Sequence, residues 1–130
     1  KTREATLRSG LTLQQMTEMF RQFAVNADLF YGDQLNESTF RDLMTTAMGD
    51  PNTRLVVNFD RKTLNQQGAG HFSPIAAYDS ASDSVLILDV AKFKYPPFWV
   101  SIADLLNAMN TIDSDSGKSR GLIRVRALLY

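Results

Sequence analysis

Apolar positions along this chain follow one rhythm in its first third and another after that. From Thr12, the residues Leu13, Met16, Phe20, Phe23 and Ala27 recur at three- and four-residue intervals. That spacing predicts a helix with one apolar face. Thr12 and Gln15 supply the Thr-x-x-Gln pattern of a capping box at its start. Residues 1–10 are a polar lead-in, and Tyr31-Gly32-Asp33 reads as a turn. A second helix is expected from Ser38 to Met48, burying Phe40, Leu43, Met44 and Ala47. Gly49-Asp50-Pro51-Asn52 ends it, because glycine favours the C-cap and proline cannot continue a helix.

The rhythm then shortens. Leu55-Val56-Val57-Asn58-Phe59 reads as a buried strand, His71 to Tyr78 as a second and Val85 to Val90 as a third. The polar, glycine-containing stretch 60–70 separates the first two, with Arg61-Lys62 beside Asp60 expected to be solvated. The turn at 79–83 joins the second to the third. Tyr95-Pro96-Pro97 is a stiff extended segment. Ser101 with Asp104 caps a third helix that buries Ile102, Leu105, Leu106 and Met109. Residues 113–119 form a loop. Leu122 to Leu128 closes the chain as a strand whose alternating arginines suggest a half-exposed edge, and Trp99 reads as a packed core aromatic. Strands joined by tight turns, with helices set apart, imply an α+β fold around an antiparallel sheet. The expected division is helical over 11–49, then a sheet with one helix over 54–128.

Charge narrows the functional classes. Fourteen Lys and Arg balance fourteen Asp and Glu, so the basic footprint of nucleic-acid binding is missing. No apolar run reaches the roughly 18–20 residues of a membrane span. The chain holds no cysteine and one histidine. That excludes disulfides, thiolate or imidazole metal clusters and a thiol nucleophile within these residues.

One arrangement could carry chemistry. In an antiparallel hairpin whose turn centres on Ser80, His71 faces Asp89; centred on Ala81, Asp89 sits one diagonal step away. Either register keeps both side chains on one face, so the imidazole could donate one ring N–H to the carboxylate. A histidine facing an aspartate is more often a structural pair. The small residues Gly68-Ala69-Gly70 before it would let a ligand approach the backbone.

The stretch LVVNFDRKTLNQQGAGHFSPIAAYDSASDSVLILDVAKFKYPPFWV, residues 55–100, and NAMNTIDSDSGKSRGLIRV, residues 107–125, resemble the phytochelatin synthase family. The resemblance runs from about Gly10 to Val125 and is strongest after Arg54. It implies the C-terminal lobe of a papain-like cysteine-protease fold. The N-terminal lobe that bears the cysteine, and the glutamine that helps form its oxyanion hole, are expected upstream of these residues. In the family, the cysteine cleaves the Cys–Gly bond of glutathione through a γ-glutamylcysteinyl thioester. The acyl group passes to glutathione, a growing phytochelatin or water.

By the same resemblance His71 matches the general base and Asp89 the carboxylate that orients it. Asn58, Gly70, Asp113 and Arg120 match positions around the γ-glutamyl end of the substrate. Lys92 and Tyr95 match the acceptor site, where the family usually has arginine in place of Lys92. Lysine keeps the charge but not the planar fork. No cofactor or protein-held metal is implied; cadmium, zinc or copper would enter as thiolate complexes of the substrate. The expected partners are glutathione or γ-glutamyl peptides and the cysteine-bearing part of the protein. The 130 residues alone are expected to be inactive. A non-catalytic module that binds glutathione or its metal thiolates is the alternative. Transferase versus hydrolase, homodimerisation, and periplasm versus cytoplasm stay open.

Overall fold

A computed structural model describes residues 10–23, 25–89 and 95–128. Six strands form one sheet in the order β1-β8-β2-β3-β4-β5, every neighbouring pair antiparallel. The strands are β1 (Val25–Tyr31), β2 (Thr53–Asp60), β3 (Gly70–Asp79), β4 (Ser84–Ile87), β5 (Phe98–Ser101) and β8 (Gly121–Ala127). A separate two-stranded hairpin pairs β6 (Ile112–Asp113) with β7 (Lys118–Ser119). Among the described residues three helices flank the sheet: α1 (Leu13–Arg21), α2 (Glu37–Met48) and α3 (Ile102–Met109). The α+β architecture expected from the sequence is the one observed.

Both faces of the sheet are covered. Against one, α2 and α3 bury Phe40, Met44, Leu105 and Met109 on Leu55, Val57, Phe59, Val85, Ile87 and Leu122. Against the other, α1 packs Leu13 on Ala27 and Ile123, with Phe20, Leu29 and Phe72 at the margin. Local signals set the ends of the helices. Thr12 and Gln15 form the reciprocal capping box of α1, Asn36 caps α2 through the Thr39 N–H, and Ser101 caps α3 through the Asp104 N–H.

Four elements depart from the sequence expectation. The first helix stops at Arg21, and strand β1 interrupts the stretch read as helical over 11–49. Ala27 continues the helical spacing by coincidence. Val25, Ala27, Leu29 and Tyr31 also alternate with Asn26 and Asp28, and sheet pairing with β8 decides for the strand. Strand β8 is interior, between β1 and β2, not an edge. Its arginines face a neighbouring strand, where Asp28 accepts from Arg124 at 2.9 and 3.1 Å and from Arg126 at 3.2 Å. Strand β5 has no counterpart in the sequence reading, which passes from the extended 95–97 segment to the cap of the third helix. On it Trp99 is 54% exposed and not in the core, because Phe98 and Val100 take the inward positions. The third strand ends at Ile87, and Val90 lies outside the described residues.

The β3–β4 turn is fastened from outside the sheet. Asp83, in the left-handed region at φ 51°, accepts a fork of hydrogen bonds from Arg41 on α2 at 2.6 and 2.9 Å, and a third from the Tyr78 hydroxyl. The Arg41 hydrogen bond is the main cause that holds the Asp83 carboxyl down to about 2. A carboxylate whose folded pKa lies below its unfolded one stabilises the fold above the unfolded value, and that contribution is lost as pH falls through the folded value. Wild-type stability should therefore fall between pH 4 and about 2, and Asp83→Asn should remove that portion of the acid dependence. Urea midpoints across this window check it; identical acid slopes in the two proteins would refute it.

Candidate functional site

The β3–β4 register decides where His71 and Asp89 point. Asp79 faces Ser84, Tyr78 faces Val85 and Ala77 faces Leu86. Continued without a break, that register would put His71 and Asp89 on opposite faces of the sheet. A bulge at Ala76 resets it, so that Ile75 faces Ile87. Beyond the ladder the Leu88 N–H still donates to the Pro74 carbonyl at 3.0 Å. The extra residue returns His71, Ser73 and Asp89 to one face.

His71 Nε2 lies 3.2 Å from Asp89 Oδ1. The contact is close but short of ideal hydrogen-bond alignment. The His71 side chain is 20% exposed while that of Asp89 is fully buried. Across the β2–β3 pair, the Phe59 ring meets the imidazole edge to face, centroids 6.0 Å apart. With Nε2 turned to the carboxylate, Nδ1 lies on the far side of the ring.

A third charged group joins them. Arg61 is not solvated: it is 4% exposed, and its guanidinium forks onto Asp89, Nη1 to Oδ2 at 2.7 Å and Nη2 to Oδ1 at 2.8 Å. Asp60 caps the 3-10 turn Arg61–Leu64 through the Thr63 N–H, and the turn carries Arg61 inward while Lys62 stays exposed. The Tyr95 ring lies 4.8 Å from the guanidinium, and its hydroxyl accepts from the Gln67 N–H at 2.6 Å.

The remaining site candidates lie around the neighbouring end of the sheet. Asn58 faces Phe72 and Gly121, so its side chain points to the α1 face, opposite His71. It is nearly buried, and among the described residues no hydrogen bond engages its carboxamide. Arg120 crosses Gly70 so closely that a Cβ there would come within 2.8 Å of Nε. Arg120 Nη1 donates to Thr111 Oγ1 and to the Ile112 carbonyl, each at 3.0 Å. Asp113 opens the β6–β7 hairpin, and its Oδ1 accepts from the Asp115 N–H at 3.0 Å. Lys92 lies outside the described residues.

Residues 1–122 match the family model for phytochelatin synthase. The chain belongs to the phytochelatin synthase family. Among its relatives, a glutathione gamma-glutamylcysteinyltransferase 3 of Lotus japonicus is 38% identical over 119 residues, 92% of this chain and 25% of the relative. A glutathione gamma-glutamylcysteinyltransferase 2 of Arabidopsis thaliana is 34% identical over 116 residues, 89% of this chain and 26% of the relative. The Schizosaccharomyces pombe enzyme of that name is 43% identical over 72 residues, 55% of this chain and 17% of the relative. The chain thus spans about a quarter of the length of the first two. Within this phytochelatin synthase family chain, no three His, Asp or Glu groups among the described residues converge as a metal site. Nor is any described helix long and apolar enough to cross a membrane.

Sequence reasoning passed over Arg61, although a signal was present. The spacing Asp60-x-x-Thr63 marks a capped turn rather than loose loop. A carboxylate buried with an imidazole also needs a permanent cation or further donors nearby.

Proposed function

We propose that this chain supplies the His–Asp half of a cysteine-dependent acyl-transfer site with a papain-like layout. It would act as the second half of one catalytic domain. The reading is carried by His71 and Asp89 converging on one face, with Nε2 toward the carboxylate and the imidazole at the edge of exposure. None of the 130 residues is a cysteine, so the thiol comes from a part of the protein outside them. The substrate is glutathione. His71 Nδ1 takes the thiol proton, the sulfur attacks the carbonyl of the Cys–Gly bond, and the same imidazole returns the proton to the departing glycine amine. Asp89 keeps the ring oriented and balances the imidazolium. The γ-glutamylcysteinyl thioester then passes its acyl group to the amine of a second glutathione or phytochelatin, or to water, and the thiol is restored.

Substrate recognition in this reading falls to groups suited to an amino-acid end. Arg120 presents a planar guanidinium for the α-carboxylate, Asp113 a carboxylate for the α-ammonium, and Asn58 an amide that can donate and accept. Gly70, having no Cβ, lets the Arg120 guanidinium lie against the backbone next to His71. Lys92 and Tyr95 serve the acceptor. Heavy-metal ions enter as thiolate complexes of the substrate, and no cofactor is required. A module that only binds glutathione or its metal thiolates would keep Asn58, Asp113 and Arg120. It would have no use for a buried carboxylate trained on an imidazole.

Acid-quenched full-length protein mixed with glutathione should gain the mass of one γ-glutamylcysteinyl group as glycine is released. The 130 residues alone should release none. Glycine turnover by the isolated, cysteine-free chain would overturn the proposal.

A further inference from the structure

From the packing of the 61–70 loop we infer that Arg61 is a positioning residue for the reaction: it fixes both oxygens of Asp89 and cancels the carboxylate's charge, so that His71 works against a net-neutral pair. The inference rests on the acyl-transfer reading above.

Burial comes first. Arg61 and Asp89 have side-chain exposures of 5% and 0%, while the other ion pairs of the described residues expose each partner by 27% or more, His71–Asp89 aside. Two charges so far from water persist only when the geometry is close to ideal, and this fork spans 2.7 and 2.8 Å. Arg61 is also held from every side. Its N–H donates to the Ala69 carbonyl at 3.0 Å, and Nη1 donates to Gln66 Oε1 at 2.8 Å. Tyr95 and Phe59 lie against the guanidinium at 4.8 and 5.7 Å. Gly68, at φ +119°, brings its backbone against the Arg61 Cδ, where a Cβ would sit at 3.0 Å. The loop is therefore folded around one side chain whose head ends on Asp89.

Charge counting gives the pair its purpose. During acylation the site holds a thiolate, an imidazolium, Asp89 and, with Arg61, a second cation, and these four sum to zero. Removing Arg61 would leave these groups with one more negative than positive charge. Arg61 Nη2 and His71 Nε2 also share Asp89 Oδ1. The guanidinium thus draws on an oxygen that also faces the imidazole. Among the described residues, the other charged and titratable groups around His71 are few. Tyr95 lies beyond Arg61, Arg120 crosses Gly70, and Asp60, across from Gly70, is turned to Thr63.

The test measures glycine release from glutathione against pH in the full-length protein. Its variants are Arg61→Lys, Arg61→Gln, Arg61→Gln with Asp89→Asn, and His71→Ala, with thermal unfolding alongside. Arg61→Gln should lower the rate on the order of 10²-fold and move the acidic limb up by about one pH unit, because the imidazolium then faces a carboxylate that has lost its buried guanidinium. Arg61→Lys keeps the charge, so its limb should stay in place while the rate drops about 10-fold for want of a fork. The double variant should restore both the unfolding temperature and the limb toward wild type. If Arg61→Gln does not fold, the double variant decides: a limb like wild type supports the role, and one displaced by a unit overturns it. If His71→Ala abolishes release while Arg61→Gln leaves rate and limb untouched, the Arg61 assignment falls alone. If His71→Ala leaves release intact, the acyl-transfer reading falls with it.

Discussion

Full-length protein carrying His71→Ala should release glycine from glutathione on the order of 10²–10⁴-fold more slowly than wild type, the usual contribution of a positioned general acid–base. In the proposed acylation both halves need this ring. The thiol must lose a proton to attack, and the departing amine must gain one to leave. Asp89→Asn should cost less, since an amide oxygen can still orient the ring, and its loss should fall mainly in kcat. Neither change should weaken ground-state binding much, because the groups proposed for the γ-glutamyl end sit on other elements, Asp113 and Arg120 around the β6–β7 hairpin and Asn58 on β2, on the face opposite His71. Steady-state glycine assays at saturating glutathione, with trapping of the acyl-protein, measure all of this. Undiminished turnover by His71→Ala would remove the histidine from the chemistry.

The same pair shows what the sequence could and could not reveal. That His71 and Asp89 share a face was legible from strand period and turn position. The observed route to that outcome was not: the four-residue turn sets one parity and the bulge at Ala76 reverses it. A bulge depends on how two strands settle against their neighbours, and the Ala76-Ala77 pair leaves no local mark of it. Capping boxes are local, so Thr12–Gln15 and Ser101–Asp104 could be read directly. Strand β1 could not, because Leu13 to Ala27 satisfies a helical period while Val25 to Tyr31 also satisfies a strand period, and only the partner β8, nearly a hundred residues on, breaks the tie. The arginines of β8 reported correctly that one face is polar and misled about the edge, since cross-strand Asp28 supplies their counter-charge. Arg61 was hidden for a similar reason. Its partner Asp89 lies 28 positions away, and a basic residue in a polar loop looks solvated until the loop is seen folded over it.

Gly121→Ala should lower stability by about 3–5 kcal/mol, near the top of the range for a single substitution. At Gly121 the interior strand β8 passes between Tyr31 of β1 and Asn58 of β2. A Cβ built there would collide with the Phe30 carbonyl oxygen and would lie 2.9 Å from Tyr31 Cα and 3.0 Å from Gly32 N. All three are backbone atoms in or beside a paired strand, so no side chain can turn aside to make room. Relief requires β1 to part from β8, which breaks ladder hydrogen bonds and opens the α1 core behind Ala27 and Ile123. Gly49→Ala is the control: its φ of −84° suits any residue and its Cβ would meet Thr45 O at an ordinary 3.5 Å. Thermal midpoints should separate the two by on the order of 10 °C. The damage should also reach the site, because Arg120 precedes Gly121 and takes its place from backbone bonds to Thr111 and Gly32. A midpoint for Gly121→Ala equal to that of Gly49→Ala would mean that β1 and β8 do not meet so closely, and that the position of Arg120 over Gly70 is not set by this crossing.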